Sequence, residues 1–547
     1  MVNKFKELIP VISSRRYFIL AALFAFAVFF IGLGSRQLAG GDEPRVAGIA
    51  AETFINGNWV EPKLNNIPFL EKPPLYFWAD ALSMQAFGRN TFAAKLPSAT
   101  AAFLGVLSLF ALARGLGMSG FGALLSVVLL STAAQYWNYG RKCMIDIFLA
   151  VFIALAMWAF WKLCQSKKMK NTGFWFVFFS LMLGGAIFSK ALIGLAIPCS
   201  ALFFYLAIDD FYIEKKFNLR RWIYLFAGAA LSFIPVALWL WALYEKSGYN
   251  AVHTVVWTNN FGRFSGEHKQ HIEPFYYYFL KLFEQLQPWT ILLPFALWFN
   301  IRKLWKEKDN KALFMLCWLI VPYLLLMVAA GKRQVYVLPL YAAEILLIAN
   351  MLDQIYRDKF KLPAKWDYVN LLTGILGIIF TVALLIGGIV FNILAPAKGS
   401  WTLYLAPALM FACGVWGLYL IRRKQVGKFC LALLIGLAAT YISVDTIGRA
   451  SRNARKSYHN MFKYCEQKIK TGKVFYLYRP IERESGAALF YLGHNCPHFD
   501  LKTTKAAPGM IVLLNEVHSE LFLKIGFKLD KKFKLKDRKY QVMKYER

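Results

Sequence analysis

Long apolar segments recur along most of this chain and limit what it can fold into. The first runs from Tyr17 to Gly34 without a charged residue, and a helix of about 20 apolar residues crosses the hydrocarbon core of a bilayer. Hydrophobic residues make up 58% of the 547 positions, which is too many for an ordinary soluble protein. In lipid, backbone polar groups must be paired within the chain, so such segments form helices. The sequence therefore predicts a polytopic α-helical membrane protein.

We predict about 13 crossings of the membrane from the lengths of these segments. They begin at Tyr17, Phe92, Gly120, Ile145, Phe174, Leu192, Trp222, Pro288, Ala312, Val335, Tyr368, Thr402 and Phe429.

The loops between these segments divide into two populations, which predicts the orientation of the chain. If the basic amino terminus is cytoplasmic, alternate loops are rich in Lys and Arg, at 167–170, 214–221, 302–311, 357–365 and 422–424. This is the pattern of the positive-inside rule. The formal net charge of +33 then reflects topology and contact with anionic membrane lipids, and it indicates no nucleic-acid partner. An odd number of crossings places the carboxyl-terminal tail outside.

The tail has a different composition, which predicts a separate domain. Short apolar runs at 474–478, 488–491, 510–514 and 540–543 are typical of strands, and 460–470 is typical of a helix. We therefore predict a transmembrane domain at 1–447 and a small α/β domain at 448–547. The basic run 528–539 indicates a solvated or membrane-facing surface. Cys465 and Cys496 form a disulfide or remain two thiols, and the sequence allows both.

Charged clusters gather in the predicted outer loops, at 36–91 and 245–287 and between other spans. The first of these loops carries Asp42, Glu43 and Arg45, then a proline-rich segment ending in Glu71-Lys72-Pro73-Pro74. Residues 46–58 between them predict an amphipathic helix along the membrane surface. Outer-side cations also occur at 141–142, 190 and 332–333. Because these cations break the positive-inside rule, they need another role, and a lipid phosphate is a natural ligand for them.

These clusters resemble motifs of the superfamily of protein O-mannosyltransferases and lipid A aminoarabinose transferases. The resemblance covers roughly 42–340 and rests on the order and spacing of short motifs. They are Asp42-Glu43-Pro44-Arg45, the loop 59–74, Asp146, Ser189-Lys190, Phe261-Gly262-Arg263-Phe264, the segment 271–278, Pro288-Trp289, Lys332-Arg333 and the segment 336–339. It implies a C-type membrane glycosyltransferase (GT-C) fold with outer-face juxtamembrane helices.

The resemblance also implies roles for individual residues. Asp42 and Asp146, with the neighbouring Glu43, are the expected catalytic carboxylates. The expected contacts to the donor phosphate are Arg45, Lys72, Lys190, Arg263, Lys332, Arg333 and Tyr336. Glu71 and His271 match positions proposed to bind a divalent cation, Zn²⁺ or Mg²⁺, in the aminoarabinose branch. One departure stands out, because Ala191 follows Lys190 where glycine is common.

The implied reaction moves a sugar from a polyprenyl phosphate donor, such as undecaprenyl phosphate, to an acceptor at the periplasmic face of the bacterial inner membrane. Cations stabilise the departing phosphate because charge grows on its oxygens. A hydroxyl acceptor also needs a carboxylate base. A phosphate acceptor is already anionic, and Asp42 would then position the reactants or stabilise the sugar centre. The sequence leaves both roles open.

The leading hypothesis is transfer of 4-amino-4-deoxy-L-arabinose, or a related amino sugar, to lipid A or another envelope glycolipid. One alternative is transfer to serine or threonine of a protein, as in protein O-mannosyltransferases. A second alternative is a transporter of lipid-linked sugars. Transporters carry internal repeats and charged or broken helices near mid-membrane. This chain shows no repeats and collects its charges at the outer face, so an enzyme is favoured.

Overall fold

The computed structural model describes residues 14–261, 272–329, 331–357, 402–422, 426–535 and 538–546, together with residues 382 and 386. Within these ranges a helical bundle is followed by a small α/β domain. The helices up to residue 356, in chain order, are α1 (Ser14–Phe30), α2 (Asp42–Asn56), α3 (Leu75–Phe87), α4 (Thr91–Gly115), α5 (Gly120–Ser131), α6 (Ala134–Gly140), α7 (Ile145–Gln165), α8 (Met169–Lys190), α9 (Leu192–Ile208), α10 (Leu219–Leu231), α11 (Ile234–His253), α12 (Tyr277–Gln285), α13 (Leu293–Glu307), α14 (Asn310–Val328) and α15 (Tyr341–Tyr356).

The prediction of a polytopic membrane protein is confirmed. In the described ranges, eight helical segments are long and apolar enough to span a membrane, and a ninth results if α5 and α6, which meet at 71°, form one bent span. The predicted span from Pro288 is a short 3₁₀ turn followed by the 15-residue α13. Those from Thr402 and Phe429 lie in α16 (Thr402–Arg422) and α17 (Val426–Lys456). The span from Tyr368 lies outside the described residues, so the count of 13 stays a prediction.

Two helices and a small hairpin form the predicted first outer loop. The interfacial helix predicted at 46–58 is α2, which begins four residues earlier because Asp42 and Glu43 occupy its first turn, where carboxylates favour the helix dipole. It ends at Gly57, whose φ of 65° suits a glycine. Strands β1 (Lys63–Leu64) and β2 (Ile67–Pro68) pair antiparallel around Asn65 and Asn66, which both have positive φ, as tight hairpin turns require.

The second predicted outer loop begins as helix. Helix α11 kinks at Gly248, whose φ is 76°, and continues as a π-helical segment, Thr254–Phe261. The chain then returns through α12 to the bundle.

The predicted α/β domain is present at the carboxyl end. Its helices are α18 (His459–Lys470), α19 (Glu482–Leu492) and α20 (Ser519–Lys524), and its strands are β3 (Val474–Leu477), β4 (Met510–Asn515), β5 (Phe527–Leu535) and β6 (Arg538–Tyr545). The sheet order is β3-β4-β6-β5, with β3 and β4 parallel and the other pairs antiparallel. The predicted boundary at 448 falls inside α17, and the apolar core of the domain begins at Tyr458. Cys465 and Cys496 are buried thiols that form no disulfide.

The predicted strand at 488–491 is wrong, because this segment belongs to α19. Glu484 accepts a hydrogen bond from the Ile481 backbone N–H at 3.1 Å at the start of the helix. Gly493 ends the helix with a φ of 85°. A short apolar run fits a buried strand and a buried helix equally well, and these flanking signals decide for a helix.

Helix α19 of the carboxyl-terminal domain packs closely on α2. A Cβ atom on Gly48 would lie 2.3 Å from the Gly486 Cα atom, and one on Gly486 would lie 2.4 Å from the Pro44 carbonyl oxygen. Nearby, the Asn65 side chain donates to the Cys496 carbonyl and accepts from the Cys496 N–H, both at 2.8 Å. The tail therefore supports the helix that begins with Asp42.

Replacing Gly486 by alanine is expected to destabilise this contact. The three atoms nearest to the added methyl group belong to the backbone of Pro44 and Arg45 and cannot move aside as a flexible side chain would. Overpacking of this kind costs about 1–3 kcal/mol. We expect a lower apparent Tm in detergent for Gly486→Ala. Gly173→Ala is the matched control, because a Cβ there meets no atom within 4 Å. Equal Tm values for the two variants would contradict the close packing of α2 and α19.

Candidate active site

Asp42 lies between two arginines at the start of α2. One carboxylate oxygen accepts a hydrogen bond from Arg45 Nη2 at 2.8 Å, and the other accepts from Arg333 Nη2 at 2.8 Å. Arg45 follows one turn later on α2, whereas Arg333 directly precedes the 3₁₀ segment Gln334–Leu340. Burial alone would raise the pKa of Asp42, but Arg333 and Arg45 outweigh burial and hold this pKa below its ordinary value. Asp42 is therefore an ionised carboxylate at neutral pH.

Glu43 points into a buried network beside Asp42. It is 2% exposed and forms a bidentate pair with Arg36, at 2.7 and 2.6 Å. It also accepts from the backbone N–H groups of Ala39 at 3.1 Å and Cys143 at 3.3 Å. Burial would raise the pKa of Glu43, but Arg36 lowers it to about 2. These contacts hold the start of α2 against the turn before α7, and a catalytic role for Glu43 stays a prediction.

Three more predicted residues meet where α7 begins and α8 ends. The Lys190 ammonium forms an ion pair with Asp146, and it lies 4.2 Å from the ring centre of Tyr336. Lys190 is near enough to Asp42, and Asp146 near enough to Arg333, to interact electrostatically. The two acidic centres predicted from sequence therefore belong to one site.

Ala191, where the resemblance leads us to expect glycine, adopts an unusual backbone conformation. Ala191 has φ 54° and ψ −139°, a conformation that favours glycine because a Cβ atom is crowded there. Such a backbone costs an alanine roughly 1–3 kcal/mol. This strain lies next to Lys190, and a glycine at position 191 would relieve it.

A pocket of about 370 Å³ opens beside Asp42. Four predicted site residues border it, namely Asp42, Glu43, Lys332 and Arg333. The complete lining is Ala39, Gly40, Gly41, Asp42, Glu43, Tyr139, Lys142, Met144, Glu273, Tyr277, Lys332, Arg333, Gln334 and Val335. This size is typical of small-molecule sites.

Lys332 contributes its charge to the pocket from a buried position. It is 4% exposed, and its ammonium donates to the carbonyl oxygens of Glu273 at 2.9 Å and Ala329 at 2.6 Å. Lys332 thereby fixes the chain on both sides of the pocket and sets the position of the neighbouring Arg333.

The remaining predicted residues are placed less tightly or lie elsewhere. Glu71 and Lys72 are half-buried in the loop between β2 and α3. Arg263 and His271 lie outside the described residues. In the part of the chain that the structure describes, no group of three or more His, Cys, Asp or Glu could hold a metal ion. Binding of a divalent cation by Glu71 and His271 stays a prediction.

The sequence predicts a lipid phosphate as a natural ligand for Arg141, but this buried side chain is bound by protein groups instead. Its guanidinium donates to the carbonyl oxygens of Val28, Phe29 and Ile31 at the end of α1, at 2.9, 3.0 and 2.9 Å. It also forms a 2.9 Å ion pair with Asp445 in α17. The sequence does indicate that Arg141 has a specific partner, because a charged side chain next to a membrane span is costly without one.

The comparisons with known proteins agree with this geometry. The family model described as dolichyl-phosphate-mannose-protein mannosyltransferase matches residues 71–241. A bundle of spans with paired acidic and basic residues at one face, together with this match, defines the class: the chain is a C-type membrane glycosyltransferase, similar to the superfamily of protein O-mannosyltransferases and aminoarabinose transferases.

Within that class, similar curated proteins include aminoarabinose transferases. The undecaprenyl phosphate-alpha-4-amino-4-deoxy-L-arabinose arabinosyl transferase of Erwinia tasmaniensis is 29% identical over 77% of this chain and 76% of its own length. The corresponding enzyme 2 of Proteus mirabilis is 29% identical over 76% and 71%. ArnT from Cupriavidus metallidurans, solved bound to undecaprenyl phosphate, superposes with a TM-score of 0.72 at 18% identity, covering 96% of this chain and 97% of that one. This match confirms the predicted GT-C fold.

Proposed function

We propose that the chain transfers 4-amino-4-deoxy-L-arabinose, or a related amino sugar, from undecaprenyl phosphate to lipid A or another envelope glycolipid. The observation that carries the proposal is the ionised Asp42 between Arg45 and Arg333, beside the Lys190–Asp146 pair. The names of the similar curated proteins support the donor and the sugar. The bound lipid in the ArnT structure supports a polyprenyl phosphate donor.

The proposed site faces the periplasm, in a protein of the inner membrane. Asp42 and Lys190 lie at helix ends on the side where the sequence carries few basic loops, and the basic loops 167–170 and 302–311 lie on the other side of the predicted topology. The positive-inside rule assigns the basic side to the cytoplasm. Donor and acceptor would then meet at the outer surface of the bilayer.

The donor phosphate is proposed to bind at Lys190 and Tyr336. As the bond between the anomeric carbon and the phosphate oxygen breaks, its electron pair remains on the phosphate, and negative charge grows there. A partly buried ammonium stabilises this charge more strongly than it would in water. Arg45 and Lys72 are further proposed contacts on the outer-face helices and loop.

Asp42 is proposed to act through its charge and not as a base. Both of its oxygens accept hydrogen bonds from arginines, and its pKa lies below the ordinary value. An efficient base has a pKa near the working pH, so Asp42 is a weak one. An ionised carboxylate instead stabilises positive charge at the anomeric carbon, which suits an acceptor that is already anionic.

Mass spectrometry of lipid A and of envelope glycoproteins tests this proposal. We expect lipid A from cells that express the protein to carry an added aminopentose, and lipid A from cells lacking it to carry none. Purified protein with an undecaprenyl phosphate-linked amino sugar is expected to transfer the sugar to lipid A. Sugar on protein serine or threonine, with lipid A unchanged, would instead favour the O-mannosyltransferase alternative. A gene deletion that changes no glycolipid and no glycoprotein would overturn the proposal.

A further inference from the structure

The cations of the pocket beside Asp42 differ in whether they form ion pairs or hydrogen bonds within the protein. Arg333 is paired with Asp42, and Lys332 donates to two carbonyl oxygens. Lys142 has neither kind of contact. Among the described residues no carboxylate or carbonyl oxygen lies within bonding distance of its ammonium, which instead lies 5.7 Å from the ring centre of Tyr139. Its charge is therefore available to a ligand.

The surroundings of Lys142 favour an anionic ligand. Burial lowers the pKa of Lys142, Glu43 and Asp42 oppose this effect, and Arg36 and Lys456 add to it. A buried ammonium is costly without an anionic partner. An anion that enters the pocket would supply this partner, and Lys332 and Arg333 line the same pocket.

The backbone next to Lys142 leaves room for such a ligand. Gly40 and Gly41 border the pocket without side chains, and a Cβ atom on either would meet no other atom within 4 Å. The open volume of about 370 Å³ accommodates a phosphate group with part of a sugar ring.

The site thus has two groups of cations near Asp42. Lys190 with Tyr336 forms the first, at the end of α8. Lys142, Lys332 and Arg333 form the second, in the pocket. Transfer to a hydroxyl group involves one phosphate, that of the donor. Transfer to a phosphate involves two, and each needs cations because the two anions repel each other.

We propose that Lys142 binds the acceptor phosphate and thereby selects phosphate-bearing glycolipids as acceptors. This inference rests on the proposed function and deepens it. An oxygen of the acceptor phosphate attacks the anomeric carbon and forms the new C–O bond. The C–O bond to undecaprenyl phosphate breaks, and its electron pair leaves with that phosphate. Because the attacking oxygen is ionised, no proton has to be removed.

Steady-state kinetics of the full-length protein in nanodiscs tests the inference. The variants are Lys142→Gln, which removes the charge, Lys142→Arg, which keeps it, and Lys246→Gln as a control at an exposed lysine that contacts Asn58. For Lys142→Gln we expect the KM for diphosphoryl lipid A to rise about tenfold or more, since charge-assisted hydrogen bonds are strong. Binding of undecaprenyl phosphate, measured by native mass spectrometry, is expected to change less than twofold. Lys142→Arg and Lys246→Gln are expected to stay within threefold of the wild type.

The outcomes separate the inference from the proposed function. An active wild type with an unchanged KM in Lys142→Gln would overturn the inference alone. Equal losses of lipid A and undecaprenyl phosphate binding would also overturn it, because Lys142 would then serve the donor or the fold. A wild type that transfers sugar to no lipid A would overturn the proposed function and the inference together.

Discussion

Replacing Asp42 by asparagine is expected to lower kcat for sugar transfer on the order of a thousandfold. The substitution keeps the shape of the side chain and removes its charge. The anomeric carbon then loses the nearest carboxylate, and the two guanidinium groups of Arg45 and Arg333, each 2.8 Å from a carboxylate oxygen in the structure, repel each other. Binding of undecaprenyl phosphate should persist, because Lys190 and Tyr336 are unchanged.

The measurement is single-turnover transfer by purified protein, with donor binding measured in parallel by native mass spectrometry. Asp500→Asn is a matched control, since Asp500 lies on an exposed loop of the carboxyl-terminal domain and contacts only neighbouring residues. An Asp42→Asn protein that binds donor and transfers sugar at the wild-type rate would exclude Asp42 from the reaction.

The pH dependence of kcat distinguishes the two roles of Asp42. If its charge stabilises the sugar centre, the ionised form is active. Its pKa lies below the ordinary value of 3.8, so activity attributable to Asp42 persists through the neutral and mildly acidic range and is lost only below that ordinary value. If Asp42 were a general base with a pKa near the working pH, kcat would instead decrease as the pH falls through neutrality. A kinetic pKa near neutrality that disappears in Asp42→Asn would contradict the electrostatic role.

The members of this site were predictable from sequence, whereas their pairing was not. Asp42 and Arg333 are 291 positions apart in the chain, yet they share a hydrogen bond. Their charge and their placement at the same face of the helical bundle could be predicted, because hydropathy fixes the spans between them. Which oxygen meets which guanidinium depends on how α2 packs against the bundle, and no local pattern encodes this.

The limits of the fold prediction have the same origin. Spans such as α4 and α7 were predictable because each is a continuous apolar helix. The 71° bend between α5 and α6 was not, since a kink depends on neighbouring helices. The close contact of Gly48 with Gly486 was not predictable either, because it joins segments far apart in the chain.

Lys142 shows how a sequence can indicate an anionic ligand without showing which of two neighbouring cations is available to it. The sequence marks residues 141–142 as outer-side cations next to Asp146. In the structure these neighbours have opposite surroundings, because Arg141 is buried among carbonyl oxygens and Lys142 borders the pocket. The path of the chain before α7 determines that Arg141 has a structural role and that Lys142 is available to a ligand.

Removing the buried carboxylate of Glu43 is expected to be among the most destabilising single changes in the chain. In Glu43→Ala the guanidinium of Arg36, itself 9% exposed, loses its bidentate partner, and the N–H groups of Ala39 and Cys143 lose their acceptor. Breaking one side of a buried ion pair costs about 3–5 kcal/mol. We expect the free energy of unfolding in an SDS titration to fall by about this amount.

The ion pair of Glu43 with Arg36 also predicts how the free energy of unfolding depends on pH. The sign of this dependence follows from the lowered pKa of Glu43. Glu43 titrates at about 2 in the folded protein, against an ordinary value of 4.5. Its contribution to stability is therefore fully present above pH 4.5 and is lost as the pH falls from there through about 2. Glu43→Ala should remove this part of the acid dependence. Glu466→Gln, at an exposed pair with Lys470, is the matched control and should change the free energy of unfolding by less than about 1 kcal/mol. If Glu43→Ala were no more destabilising than this control, the ion pair with Arg36 would not hold the start of α2, and the placement of Asp42 would need another explanation.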